Sequence, residues 1–496
     1  MTIRVSLLGA LWVAMFPAIA AVPPASSDAL QNWIASNAVE VRSIDAADEN
    51  FRDLEPLIDS IGTARVVQLG EPSHGAGSSF AAKVRLIKFL HQRMGFDVVV
   101  WESGLGDVRW TQAGLRAGHD AVAAAQQGIL KIWSASDEVR PLFEYAKASQ
   151  AGTRPLEMAG FDMQVTAPDT AERFAAELRA FVGALRDPGL LRRAHRLANR
   201  LLAASNAMHA YTTALIGKRS ALSEAAQSGA ALTDAMAEWE SGEGARLRPK
   251  KESLDLLRNA AAGLLTLVES DRAAFEQVHA AVYVTFIERA LQNLRDDGTN
   301  AYASFGPERP GGGTGYVPSL AVENRRDAGN ADNLRWLIQK RYRGRKLIVW
   351  AHNVHVMNAY YADDWRRVYL DPRPRTMKPS GVFLNDWLRD GVYTIAFTTY
   401  AGEDGWVAAP ASPIAPAAMD TLESRLHRLG KPYLFLDFRA LDATPGHPLQ
   451  TPQPLRFPKY DTNTLADPTK AVDAIFYIDR MMPVTAIKGE GVVKHP

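Results

Sequence analysis

The stretch Val66–Gly104, VVQLGEPSHGAGSSFAAKVRLIKFLHQRMGFDVVVWESG, decides the fold. Val66–Gly70 is a short apolar run that reads as a strand. Phe80, Val84, Ile87 and Leu90 then recur at helical spacing. Phe96–Trp101 (FDVVVW) is a second strand. A strand, a helix and a strand in succession form the repeating unit of a parallel sheet. Outward from this unit the pattern repeats. Pro155–Phe161, Lys346–Ala351, Tyr393–Thr399, Tyr433–Asp437 and Ala474–Ile478 read as strands, with helix-like segments between most of them. The expected fold class is α/β, a mostly parallel sheet flanked by helices.

One block breaks the alternation. From about 167 to 297 the strand signal disappears, and Ala171–Leu185, Leu190–Ile216, Ser223–Trp239 and Ser253–Asp296 all carry helical patterns. We read it as a large helical insertion, a cap subdomain, within an α/β domain spanning 61–496. Residues 21–60 are a lead-in. Asp297–Ser319 is a loop containing Gly311–Gly313 and Gly315. No strand feeds it and no Lys follows at Walker spacing, so it reads as a linker or lid rather than a phosphate cradle.

The first 20 residues read as a signal peptide. Arg4 is the positive n-region, Val5–Phe16 the apolar h-region, and Ala18-Ile19-Ala20 a small-residue cleavage site. The apolar run is short of the about 20 residues a spanning helix needs. No later segment reads as a transmembrane helix. The expected location of the mature chain is the periplasm or the exterior.

Composition narrows the function. Lys+Arg is 56 against Asp+Glu 55, a net charge of +1, which gives no electrostatic reason for a nucleic-acid partner. The absence of cysteine excludes disulfides, thiolate zinc sites and a cysteine nucleophile.

The reactive residues fall at strand ends, and in α/β sheets ligands bind beyond the carboxyl ends of the strands. The first strand leads into Gly70-Glu71-Pro72-Ser73-His74-Gly75, the second into Glu102, the third into Asp162, and a later one into His352-Asn353-Val354-His355. Parallel strands put these ends on one rim. Gathering Glu71, His74, Glu102, His352 and His355 is costly unless they pair, bind a metal or do chemistry. A histidine with a carboxylate on one ring nitrogen has a fixed tautomer and suits a general base that takes a proton from water. Lys83, down the following helix, and Arg326, before the Lys346 strand, could support a developing oxyanion or the substrate. The same rim offers His74, Glu102, His352 and His355 to a divalent metal, although no H-E-x-x-H motif is present. A non-catalytic module binding a metal or metal complex there is the alternative function. The nucleophile elbow G-x-S-x-G does not occur, which argues against a serine hydrolase.

The residues also resemble a known family. LGEPSHG (69–75), with its basic helix and a strand ending in Glu102, resembles the opening block L-G-E-x-[ST]-H-G of erythromycin esterases. WAHNVHV (350–356) resembles their W-A-H-N-x-H, and RRDAGNADNLRWL (325–337) the segment before it. MKPSGVFLNDWLRDGVYTIAFTT (377–399) resembles the block that follows. The resemblance implies a hydrolase with a helical cap on an α/β core, acting on a small-molecule ester or lactone through activated water. It places His74 as general base, with Glu71, Glu102, His352 and His355 beside it, Lys83 at the basic helix position and Arg326 as the arginine of R-D. Macrolide-resistance members open a macrolactone ring. The sequence departs from that pattern at Asn330, in the small residues Gly75–Ser79, and in its export signal. These departures bear on the substrate rather than the chemistry.

Overall fold

The computed structural model describes residues 27–164, 170–225, 242–247, 250–305, 320–362, 375–407, 410–439, 446–456 and 464–488, with a few residues between those spans. The signal-peptide reading and the glycine-rich run at 311–315 lie outside the described residues, as does most of the helix expected over Ser223–Trp239.

A nine-stranded sheet forms the centre. Its strands in chain order are β1 (Val39–Glu40), β2 (Val66–Leu69), β3 (Phe96–Gly104), β4 (Glu157–Asp162), β5 (Lys346–Trp350), β6 (Val392–Asp404), β7 (Ser412–Ile414), β8 (Tyr433–Asp437) and β9 (Ala474–Met481). Across the sheet the order is β1-β8-β9-β6-β2-β5-β3-β4, with β7 on the end of β6. Every pairing from β9 to β4 is parallel. β8 and β1 pair antiparallel and close the far edge, and β7 pairs antiparallel with the end of β6. The expected α/β class is therefore observed, and all seven expected strands are present.

Alternate residues of each central strand enter different cores, as the two-residue period of a strand requires. Val67, Leu69, Val99, Trp101, Ile348 and Trp350 pack on one face with Phe80, Phe89 and Trp133. Val66, Val98, Val100, Leu347 and Val349 pack on the other, against Leu178, Phe181, Leu264, Val284 and Leu334. That second face carries the helices of the block without strand signal: Thr170–Gly183, Pro188–Ala225, Lys251–Ser270 and Ala281–Phe305. Strands apolar on both sides read as continuous runs, which is why FDVVVW and KLIVW stand out in the sequence.

Two details position the site. β3 runs on past Trp101 to Gly104, with a register shift against β4 between those residues. Such irregularities re-aim side chains at strand ends, and Glu102 sits within this one. The chain also leaves β2 through Gly70, where a Cβ would lie 2.0 Å from Asn353 Oδ1. Asn353 is buried: its Oδ1 accepts from Phe397 N at 3.1 Å and its Nδ2 donates to Phe397 O at 2.8 Å. Glycine at 70 lets the LGEPSHG and WAHNVHV segments interlock.

Candidate active site

The ends of β2, β5, β3 and β4 are adjacent in the sheet, so Glu71, His352, Glu102 and Asp162 meet on one rim. The site has two halves.

The first is built on Glu71, which is fully buried and receives three donors. His74 Nδ1 lies 2.7 Å from Oε1, and the indole Nε1 of Trp133 donates to the same oxygen at 3.1 Å. Lys83 Nζ donates to Oε2 at 2.5 Å and to Ala351 O at 3.3 Å, and rests 4.4 Å from the centre of the Trp350 ring. Burial pulls the Lys83 pKa down to about 8, against the upward pull of Glu71 and Glu102. A carboxylate at His74 Nδ1 fixes the proton on that nitrogen and leaves the Nε2 lone pair outward. Among the described residues Nε2 has no protein partner, and the side chain is 21% exposed. Three rings bracket the imidazole: Trp133 and His352 at 5.4 Å and Trp406 at 5.5 Å between centroids. The turn carrying His74 is tied down by Ser73 Oγ, which donates to Asp404 Oδ2 at 2.9 Å, and by Gly405 N and Val484 N, which donate to Gly75 O.

The second half is built on Glu102 and His355, both buried. Glu102 Oε2 accepts from the backbone N of His352 at 2.9 Å. Its Oε1 lies 3.3 Å from His355 Nε2 and 3.2 Å from Arg326 Nη2. His355 Nδ1 donates to Asp327 at 2.9 Å. Asp327 is itself held by Ser380 N at 2.9 Å. With a carboxylate on each ring nitrogen, His355 is an imidazolium. Burial opposes that charge, but Asp327 and Glu102 outweigh it and carry the pKa up to about 9. Burial likewise opposes the Glu102 carboxylate, yet His355, His74 and Arg326 hold its pKa down at about 2. Arg326 also binds Asp162 at 2.6 Å. On the facing helices, burial and the nearby Asp162 charge lift Asp297 to about 7 although Arg326 opposes, and burial lifts Glu323 above the usual carboxylate range.

All seven residues singled out in the sequence thus fall in one continuous site, with Glu102 electrostatically coupled to both halves. Their placements differ from a simple cluster. Lys83 is buried against Glu71, so it orients that carboxylate and does not face the cleft. His352 is spent on the backbone: its Nδ1 accepts from Val354 N at 3.1 Å and its Nε2 donates to Pro72 O at 3.1 Å. Of the four residues considered as metal ligands, His352 and His355 have both ring nitrogens engaged by protein groups, whereas His74 keeps Nε2 without a partner among the described residues. Among the described residues no three His, Asp or Glu are arranged to hold a metal ion. Sequence reasoning missed Trp133, Asp327 and Trp406. Asp327 was within reach, since it follows Arg326 in the RRD run. Trp133 arrives from the short helix Lys131–Ser134 and Trp406 from the loop after β6, neither with a local signal.

Comparisons with known proteins give the family and the fold. The sequence model of the erythromycin esterase family matches residues 91–481. That span contains Glu102, Arg326, His352 and His355 and begins after Glu71, His74 and Lys83. The chain is 24% identical over 423 residues to YbfO of Bacillus subtilis (strain 168), a protein named as a hydrolase, covering 82% of this chain and 81% of that one. Among solved structures, a Bacillus cereus protein aligns with TM-score 0.68 at 17% identity, over 94% of this chain and 100% of that one. A protein described as acting in succinoglycan biosynthesis aligns with TM-score 0.65 at 18% identity, over 92% and 98%. A mutant of the erythromycin esterase EreC in its open conformation aligns with TM-score 0.55 at 16% identity, over 88% and 96%. At these identities the solved structures show the fold.

Proposed function

The chain belongs to the erythromycin esterase family and is a hydrolase of ester bonds, and from that premise we propose that it cleaves a small-molecule carboxylic ester or lactone with water activated by His74. One observation carries this reading: Glu71 fixes one ring nitrogen of His74, while the other has no partner among the described residues and the ring is partly exposed. A water on Nε2 loses its proton to His74 as its oxygen attacks the carbonyl carbon. Glu71 stays ionised and orients the imidazolium that forms. The tetrahedral intermediate then collapses. The acyl–oxygen bond breaks, His74 returns the proton to the departing alkoxide, and the products are an acid and an alcohol.

Arg326 is suited to steady the oxyanion. Its Nε and Nη2 are held by Asp162 and Glu102, Nη1 has no protein partner among the described residues, and the side chain is 19% exposed. Preorganised charge of this kind is commonly the largest single contribution to such a reaction. His355 fixes Glu102, one of the two carboxylates that hold that arginine. Export to the periplasm or beyond rests on residues 1–20 alone. No helix among the described residues is long and apolar enough to cross a membrane.

The test is hydrolysis of a macrolactone panel and of simple esters by the purified chain, with and without chelator, beside His74→Ala. Turnover lost in the variant, with its melting curve retained, supports the reading. An unimpaired variant overturns the assigned base. Macrolactone opening would identify the macrolide substrate, and turnover confined to simple esters would reject it.

A further inference from the structure

We propose that Trp406 is the substrate platform of this site, and that the substrate presents an uncharged apolar ring or chain next to its reacting carbonyl. The inference rests on the esterase reading for the position of that carbonyl. His74 is bracketed by three rings, and two of them are spoken for. Trp133 is fully buried with its indole N–H on Glu71, and His352 is held by backbone on both nitrogens. Trp406 is different. It meets the His74 ring edge-to-face at 5.5 Å, yet remains 45% exposed and has no hydrogen-bond partner among the described residues.

A scattered surface tryptophan needs no explanation, but this one lies against the ring of the base, on a segment tied to the turn of that base. It follows Asp404 and Gly405, which carry the bonds that anchor the His74 turn: Ser73 Oγ on Asp404 and Gly405 N on Gly75 O. The crossing is close enough that a Cβ on Gly75 would lie 2.6 Å from Asp404 Oδ1 and 2.8 Å from Gly405 N. That clamp ties the backbone leading into Trp406 to the His74 turn. An aromatic face fixed beside the attacking water offers a flat apolar surface of low conformational cost.

The other wall differs in kind. Beyond His355 the side chains are ionic and paired with one another, as Arg326 with Asp162 and Glu102, and His355 with Asp327 and Glu102. A substrate spanning the site would therefore set its carbonyl toward Arg326 and its apolar body on Trp406.

The experiment measures kcat/KM for p-nitrophenyl esters from acetate to octanoate, and Kd for acetamide and octanamide by calorimetry, on the full chain, Trp406→Ala and Trp406→Phe. Trp406 is half-exposed, so the truncation opens no core cavity, and a melt confirms the fold. The wild type is expected to favour octanoate over acetate. Trp406→Ala should cut that ratio by about tenfold or more, mainly through KM, with Trp406→Phe retaining most of it. Octanamide binding should weaken in parallel. An equal chain-length preference in all three proteins, in turnover and in binding, would overturn the platform. No ester turnover by the wild type, with octanamide binding still dependent on Trp406, would keep the platform and reject the hydrolase mechanism.

Discussion

The two halves of the site each centre on a histidine, and they put it to opposite uses. His74 has one carboxylate partner and one ring nitrogen left over. His355 has a carboxylate on each nitrogen and none left over. A single acid fixes a tautomer and leaves a base, whereas two acids fix a cation that cannot accept a proton near neutrality. The difference lies in the number of acids around the ring and not in depth alone, since Glu71 is as buried as Asp327. The same contrast separates the cations. Lys83 sits wholly inside and holds Glu71, while the Arg326 side chain stays partly exposed.

The contrast can be broken most forcefully at His355. His355→Ala would leave Glu102 and Asp327 buried without their shared counter-charge, and removing one partner of a buried pair costs about 3–5 kcal/mol. The expected result is a large fall in Tm. A variant as stable as the wild type would mean His355 is not the ionic keystone of its half.

Glu71→Gln sharpens the other side. The amide cannot accept from both His74 and Lys83. With its NH2 toward His74 it favours the wrong tautomer, and kcat should drop about a hundredfold or more. The fold should survive, because Lys83, already lowered to about 8, can shed its proton. Circular dichroism and steady-state kinetics on one preparation check both parts.

pH separates the halves more gently. The His355 pKa is raised from 6.5 to about 9, so its pairing stabilises the fold fully below about pH 6.5 and is lost as pH rises through 9. The Glu102 pKa is depressed from 4.5 to about 2, so its share is present above pH 4.5 and is lost as pH falls toward 2. Melting curves should therefore slope downward between pH 6.5 and 9. That slope should vanish in His355→Asn, and its persistence there would assign it to another group.

The smallest effect is expected at Trp133→Phe. It keeps the packing and removes one donor from Glu71, so kcat should fall about tenfold or less with KM little changed. A loss as large as that of Glu71→Gln would make the indole N–H a principal anchor.

Much of this was legible in the sequence, for a physical reason. β2, β3, β4 and β5 are buried on both faces, so they read as apolar runs. Their carboxyl ends are where polar residues break those runs, which is how Glu71, His74, Glu102, His352 and His355 stood out. Partnership was not legible. Trp133 reaches Glu71 from a short helix 62 residues along the chain, and Trp406 arrives from the end of β6. Neither local spacing nor residue type reports such approaches. Direction was hidden too: YLFLD announces a strand, but its antiparallel pairing with β9 follows from the connections and not from its residues. The role of Lys83 needed burial, since a lysine two and a half turns down a helix reads equally as surface.

The most direct test of the account is the turnover of one p-nitrophenyl ester by His74→Ala with and without added imidazole. The account predicts a loss of about a thousandfold or more in kcat/KM with an unchanged melting curve, and partial, saturable recovery with imidazole. Turnover near the wild-type rate without imidazole would contradict it and remove His74 as the base.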